Sequence, residues 1–221
     1  VVGEGRRVIN NIHRAASLFL VKTIFSLILS LIFLVLPRAY PFIPIQLSLI
    51  SVLSVGIPSF FLALEPNNER VSGHFLPSVV RRALPGALTI ATCIALVLAL
   101  ASILHLDQRQ VGTLSTLLAG FSSLWVLMGV CRPFTTIHIV LLSTMTAAFV
   151  VGVTAFGWLF SLNVFDPAIL PVLPLLLLIP LLMWGYKMLV NKLPVFRALD
   201  EVMEQPSKWR ELLGKKHSKE K

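Results

Sequence analysis

Polar side chains interrupt two of the apolar stretches of this chain at spacings that could form an ion-binding site. Lys22, Thr23 and Ser26 lie in the first stretch, and Lys22 and Ser26 are one helical turn apart. Ser51 and Ser54 lie in the second stretch, three residues apart, so they share one side of a helix. Polar groups inside a membrane are the first candidates for a transport path, because they are costly to place there. Their oxygens could coordinate a cation, and the lysine ammonium could occupy part of the same site.

Lys22 is the one formal charge deep inside an apolar stretch, and it has two interpretations. It lies roughly 6 Å from the middle of its stretch, if the helix rises 1.5 Å per residue. Its side chain could extend along lipid or protein so that the ammonium reaches the cytoplasmic interface. Alternatively, it is a built-in cation that fills part of an ion site after the ion has left, or a group that exchanges a proton.

The second stretch also contains Gly56 and Pro58, which weaken a helix. Proline has no N–H to donate, and glycine lowers helix propensity. In a membrane, such backbone is tolerated where the freed carbonyl groups face protein or a hydrated cavity. The pair predicts either carbonyl oxygens open to an ion or a kink that lets helices pack.

Composition indicates which elements must position these residues. Of the 221 residues, 56% are hydrophobic and 13% are charged, against about 25% charged in a soluble domain. This composition excludes an ordinary soluble enzyme and a disordered tail. Pro85 is a residue suited to a helix start, so the third apolar stretch is expected to begin after it. Gly112 and Gly120, in the fourth stretch, are expected to allow close helix packing. Six stretches are long enough to cross about 30 Å of hydrocarbon as helices, at about residues 15–36, 45–64, 86–106, 111–130, 136–160 and 168–190.

The fold class is therefore an all-α, polytopic membrane bundle of six transmembrane helices, with a cytoplasmic stalk extension on the first. The predicted division is a stalk at residues 1–14, the six-helix domain at 15–190 and a basic cytoplasmic tail at 191–221. Lys and Arg number three before the first span, three between the second and third, one between the fourth and fifth, and nine from Lys187, near the end of the sixth, onward. The opposite loops hold only Arg38 and Arg109, which predicts cytoplasmic termini in a plasma-membrane protein. This distribution sets orientation and does not indicate nucleic-acid binding, and no cysteine or histidine spacing indicates a metal site.

Three segments resemble one family. The sequence VGEGRRVINNI (residues 2–12), running into a membrane helix, resembles the stalk of the fifth transmembrane helix of P-type cation-transporting ATPases. PIQLSLIS (44–51) and GIPSFFLALEPN (56–67) resemble the sixth helix of that family, closest to bacterial calcium-type pumps of the HAD superfamily. The other four spans fit helices seven to ten in number and topology. The chain is thus expected to be the carboxy-terminal membrane part of such a pump, truncated from a longer protein.

The resemblance implies a coupling role for the stalk and for the loop after the second span. A long helix leaving the membrane can transmit movement of a cytoplasmic phosphorylation domain to an ion site. Glu65 is interpreted as a docking residue for that domain or as a simple helix stop. The stalk arginines Arg6, Arg7 and Arg14 are interpreted as pairing with acidic groups of that domain or with phospholipid, or as a solvated basic face. The candidate coupling residues are Glu4, Gly5, Arg6, Asn10, Asn11 and Glu65.

The resemblance also shows a departure at the ion path. Thr23 and Ser26 align where calcium pumps have an amide and a carboxylate. Ser51, Ser54 and Val55 align where those pumps have an amide, a hydroxyl and an essential aspartate. All ten acidic residues of the chain lie outside the apolar cores, whereas a divalent cation prefers oxygen ligands with negative charge among them. The resemblance therefore supports a cation pump without naming its cation.

The sequence holds no catalytic motif. It lacks the DKTG-type and TGE-type sequences that P-type ATPases use for phosphorylation and dephosphorylation, and it lacks a Walker motif. No cofactor is expected in this chain, and Mg-ATP is implied for the parent protein. The expected partners are the bilayer, the transported cation, the phosphorylation domain and the first four transmembrane helices of the parent. The alternative is a self-standing six-helix scaffold or permease without ATPase activity.

Overall fold

The fold is a bundle of six apolar helical spans. The structure is a computed structural model, and it describes the backbone of residues 2–65 and 75–194 and the side chains of residues 9–65 and 77–194. Those residues contain six helical stretches that are long and apolar enough to cross a membrane, and no strand. The prediction of an all-α bundle with six spans is therefore confirmed. The elements, in chain order, are α1 (Val2–Val35), α2 (Pro44–Ser51), a π-helical segment (Val52–Gly56), α3 (Ile57–Leu64), α4 (Phe75–Leu104), α5 (Gln108–Val130), α6 (Thr136–Thr154), a 3-10 segment (Pro167–Leu177) and α7 (Leu178–Lys192).

Helix α1 is continuous over 34 residues, so the predicted stalk and the first span form one rod. The boundary at residue 14 stays a prediction, because no feature of the helix marks where the membrane begins. Most of the predicted tail, residues 195–221, and the loop at 66–74 lie outside the described residues.

The third span differs from its prediction. Helix α4 begins at Phe75 and contains Pro85 in its interior, so the expectation that the helix starts after this proline is wrong. Proline removes one backbone hydrogen bond, but the flanking Ala83 and Ala87 are completely buried. A Cβ at Gly86 would overlap Val126 of α5, so the two helices are in direct contact here. This tertiary packing outweighs the local preference.

The last two spans also end or begin differently from their predictions. Helix α6 stops at Thr154, six residues before the predicted end near Phe160. The chain turns at Gly157, where a Cβ would lie 2.7 Å from the Val153 carbonyl oxygen, and the Leu162 N–H donates to the Gly157 carbonyl at 2.8 Å. The sixth span then begins as a 3-10 segment, because Pro171 and Pro174 lack the N–H groups that a regular α-helix would use.

Helix α5 lies in the middle of the bundle and is the most buried span. Its start is fixed by a capping box: the Asp107 carboxylate accepts from the Gln110 N–H at 2.8 Å, and the Gln110 side chain accepts from the Asp107 N–H at 2.9 Å. A Cβ at Gly112 would lie 3.1 Å from the Pro41 carbonyl oxygen, and one at Gly120 would overlap the Phe149 ring of α6. The prediction that these glycines permit close packing is confirmed.

Candidate functional site

A small cavity lies between the first and second spans, next to α5. Its volume is about 10 Å³, close to the smallest that holds one water molecule. Lys22 of α1, Ser51 and Ser54 of the second span, and Ser123 of α5 supply its polar lining. The structure thus brings three of the predicted ion-path residues to one place.

The other two hydroxyl candidates on α1 do not reach this cavity. Thr23 is exposed on the neighbouring face, and its hydroxyl donates to the Phe19 carbonyl at 3.1 Å. Ser26 is half-buried and is not part of the lining. Consecutive helical residues point about 100° apart, so Lys22 and Thr23 cannot both face the second span.

The π-helical segment runs through the second span beside the cavity. The Ile57 N–H donates to the Val52 carbonyl, five residues back, instead of four. Pro58, buried in the first turn of α3, has no N–H for the turn before it. Gly56 is exposed and, like Pro58, lies outside the cavity lining. Gly56 and Pro58 therefore change the hydrogen bonding of the helix backbone and contribute no side chain to the cavity. This agrees with the weakened helix predicted there.

The two serine hydroxyls of the second span bond back to their own helix. Ser51 donates to the Leu47 carbonyl and Ser54 to the Ile50 carbonyl, each at 2.6 Å. Their hydroxyl hydrogens are used in these bonds, and the oxygen lone pairs remain able to accept from the cavity. Such back-bonding also bends helices, which adds to the irregularity at this level of the span.

Lys22 is half-buried, and within the described part of the chain it makes no hydrogen bond or ion pair. Those residues contain no cluster of three or more His, Cys, Asp or Glu side chains able to hold a metal. Six apolar side chains complete the lining of the cavity, beside Lys22 and the three serines. Its volume is close to that of one water molecule, and the described residues add no carboxylate to it.

A second polar cluster lies where α1, the end of the second span and the start of α6 meet. One Glu65 carboxylate oxygen accepts from Arg14 Nη1 at 2.6 Å and from His138 Nε2 at 2.7 Å. The exposed fractions of these three side chains are 13%, 8% and 2%, so the pairing is shielded from water. We call Glu65, Arg14, His138 and Asn11 the junction cluster.

Asn11, one turn before Arg14 on α1, completes the junction cluster. Its Nδ2 donates to the Ala63 carbonyl at 2.9 Å and to the Glu65 carbonyl at 3.0 Å. These two carbonyls lie at the end of α3, where the last helical carbonyls lack partners within the helix. Asn11 and Arg14 of α1 therefore hold both the backbone and the side chain of the residue that ends the second span.

Cys131 lies beside the junction cluster, just after α5. Burial raises the pKa of the Cys131 thiol to about 11, with Arg14 acting to lower it and Glu65 to raise it further. The thiol is therefore protonated at neutral pH, as expected for a buried packing residue.

The structure describes the side chain of only one of the remaining coupling candidates, Asn10. Glu4, Gly5 and Arg6 belong to α1, but their side chains lie outside the described residues. Asn10 is half-buried on α1 next to Asn11. The sequence predictions did not include Arg14, His138 or Ser123 among the site residues. For Arg14 a signal existed, because opposite charges at the ends of neighbouring antiparallel spans can pair.

Comparison with known proteins gives relatives of one kind. The chain is 39% identical over 166 residues to the calcium-transporting ATPase CtpE of Mycolicibacterium smegmatis, covering 68% of this chain and 21% of the relative. It is 38% identical to CtpE of Mycobacterium bovis over 68% of this chain and 21% of the relative. It is 34% identical to the probable cation-transporting ATPase exp7 of Streptococcus pneumoniae over 64% of this chain and 19% of the relative. No protein-family model and no solved structure matches.

The chain thus spans about a fifth of the length of these curated relatives. The resemblance to a piece of the P-type cation-transporting ATPases, stated from the motifs, is confirmed by this similarity. Together with the six apolar helices, it identifies a multi-pass membrane protein similar to cation pumps.

Proposed function

We propose that this chain is the membrane part of an ATP-driven P-type cation pump, and that it forms part of the ion path. The observation that carries the proposal is the meeting of Lys22, Ser51 and Ser54 at one cavity beside a π-helical segment. Irregular backbone at membrane depth is tolerated where it faces protein or a cavity, and it is a recurrent feature of ion sites in transporters. The similarity to cation-transporting ATPases supports the same function.

The junction cluster couples this path to a phosphorylation domain outside the chain. Asn11 and Arg14 lie on the same continuous helix as Lys22, and they hold the end of the second span through Glu65. A push or rotation of α1 therefore acts on both sides of the cavity at once. A rigid helix bonded to the segment it must move is a suitable lever for such coupling.

The transported species is a cation whose identity the cavity alone does not select. The CtpE relatives are named calcium-transporting, and Ca²⁺ takes six to eight oxygen ligands that usually include carboxylates. Hydroxyl oxygens from this chain could supply a minority of them, with the first four transmembrane helices of the parent supplying the charge. The proposed pump uses Mg-ATP, which this chain does not bind by any motif of its own. The pump lies in the plasma membrane, and both ends of this chain are on the cytoplasmic side.

Replacing Lys22 with methionine tests the ion path in the pump that carries this chain, reconstituted in vesicles. If Lys22 acts as a built-in cation, Lys22→Met should change the charge moved per ATP by about one elementary charge. Thr23→Val is the matched control, because Thr23 is adjacent but lies on the other face. Unchanged charge movement in Lys22→Met, or an equal change in Thr23→Val, would show that Lys22 is not part of the path.

A further inference from the structure

A wide groove opens between α4, α5 and α7, and Val126 of α5 lines both this groove and the ion-path cavity. Its volume is about 900 Å³. One α4 residue and one α7 residue are joined across its rim, where Arg81 Nε donates to Asn191 Oδ1 at 2.8 Å. The helices on two sides of the groove are thus connected by a side-chain hydrogen bond.

Four positive side chains line one end of this groove, and all four are exposed. They are Arg81, Arg82, Arg132 and Lys187. No aspartate or glutamate is among the groove's lining within the described residues. Arg82 lies near the start of α4, Arg132 follows the end of α5 and Lys187 lies near the end of α7, so the charges share the end of the bundle where most Lys and Arg residues occur.

Deeper along the spans, the lining of the groove is apolar or aromatic. Pro85, Trp125, Met183 and Trp184 line it one or two turns from the charges. Trp184 is one turn before Lys187 on α7, and tryptophan at this level is typical of the boundary between headgroups and hydrocarbon. At Gly129 of α5 a Cβ would meet no heavy atom within 4 Å, so the floor of the groove is open.

We propose that this groove binds an anionic phospholipid. Arginine guanidinium groups bind phosphate through paired N–H donors, and basic pockets between transmembrane helices are a recurrent site for anionic headgroups. The two tryptophans then lie at the level of the glycerol backbone, and the apolar floor contacts the acyl chains. The groove is larger than a free phosphate ion requires, and its apolar lining would make no favourable contact with such an ion. The inference does not depend on the proposed transport.

Native mass spectrometry of the detergent-solubilised protein tests this inference. Phosphatidylglycerol and phosphatidylcholine with the same acyl chains are added in separate titrations. Phosphatidylglycerol should remain bound at a lower lipid concentration than phosphatidylcholine. Arg82→Gln and Lys187→Gln should each weaken phosphatidylglycerol binding by about fivefold, and the double variant should combine the two losses. Arg81 is left in place because it makes the bond to Asn191.

Two further variants make the test specific. Lys192→Gln removes an exposed charge from the same helix outside the groove, and it should leave retention within about twofold of the unaltered protein. Gly129→Phe fills the open floor and should reduce retention while the melting temperature is maintained. Equal retention of the two lipids, or an effect of Lys192→Gln as large as that of Lys187→Gln, would overturn the proposal. Displacement of the bound lipid by inorganic phosphate alone would also overturn it.

Discussion

Replacing Glu65 with glutamine removes the negative charge that pairs with the buried Arg14 and that also lies in hydrogen-bond contact with the buried His138 ring. At a charge separation of about 4 Å and an effective dielectric constant of about 20, one such pair gains about 4 kcal/mol before desolvation is counted. Removing one partner of a buried pair typically costs about 3 to 5 kcal/mol, because the other charge stays buried. The side chains of Arg14 and Glu65 are 8% and 13% exposed, so we expect Glu65→Gln to destabilise the protein by about 3 kcal/mol.

The assay is reversible unfolding in mixed detergent micelles, read by loss of helical structure. A double-mutant cycle with Arg14→Gln isolates the pairwise contribution, and the double variant should be more stable than the sum of the single changes predicts. Lys192→Gln, an exposed charge, is the control and should lie within about 0.5 kcal/mol of the unaltered protein. A loss below about 0.5 kcal/mol for Glu65→Gln, or a coupling energy near zero, would refute the idea that the junction cluster holds α1 to the second span.

Two further predictions concern packing and reactivity. Gly120→Ala should destabilise the protein by about 1 to 3 kcal/mol, since its Cβ would overlap the almost completely buried Phe149 ring. Gly185→Ala, with no heavy atom within 4 Å of its Cβ, should instead be neutral or stabilising by up to about 1 kcal/mol in the same unfolding assay. Cys131, whose thiol pKa is raised to about 11, should be alkylated at pH 8 at least about 100-fold more slowly in the folded protein than after unfolding. Its alkylation rate should rise with pH toward pH 11, and fast labelling at pH 8 would contradict its burial.

The six spans were predictable because a bilayer imposes a simple rule on sequence. Each crossing needs about 20 mostly apolar residues, and the irregular second span follows from Gly56 and Pro58 within one such stretch. The start of α4 was not predictable in this way. Pro85 has the chemistry of a helix start, and only the packing of Gly86 against Val126 of another helix shows why the helix continues through it.

The site was predictable only as far as local spacing reaches. The three-residue spacing of Ser51 and Ser54 correctly indicated a shared face, and both line the cavity. The sequence could not choose between Lys22 and its neighbour Thr23, because that choice depends on how α1 is rotated against the second span. His138 comes to Glu65 from 73 residues away, and such a contact is determined by the packing of α6, which no local pattern records.

Phosphorylation of the full-length protein that carries this chain tests the proposed function most directly. The measurement is phosphoenzyme formation from ATP in the presence of Ca²⁺, Mg²⁺, Mn²⁺, K⁺ or H⁺, each varied separately. We predict that one of these cations controls the phosphoenzyme level, and that Lys22→Met shifts its concentration dependence while Thr23→Val does not. A phosphoenzyme level that no cation changes, or an absence of phosphorylation altogether, would contradict the assignment of this chain to a cation pump.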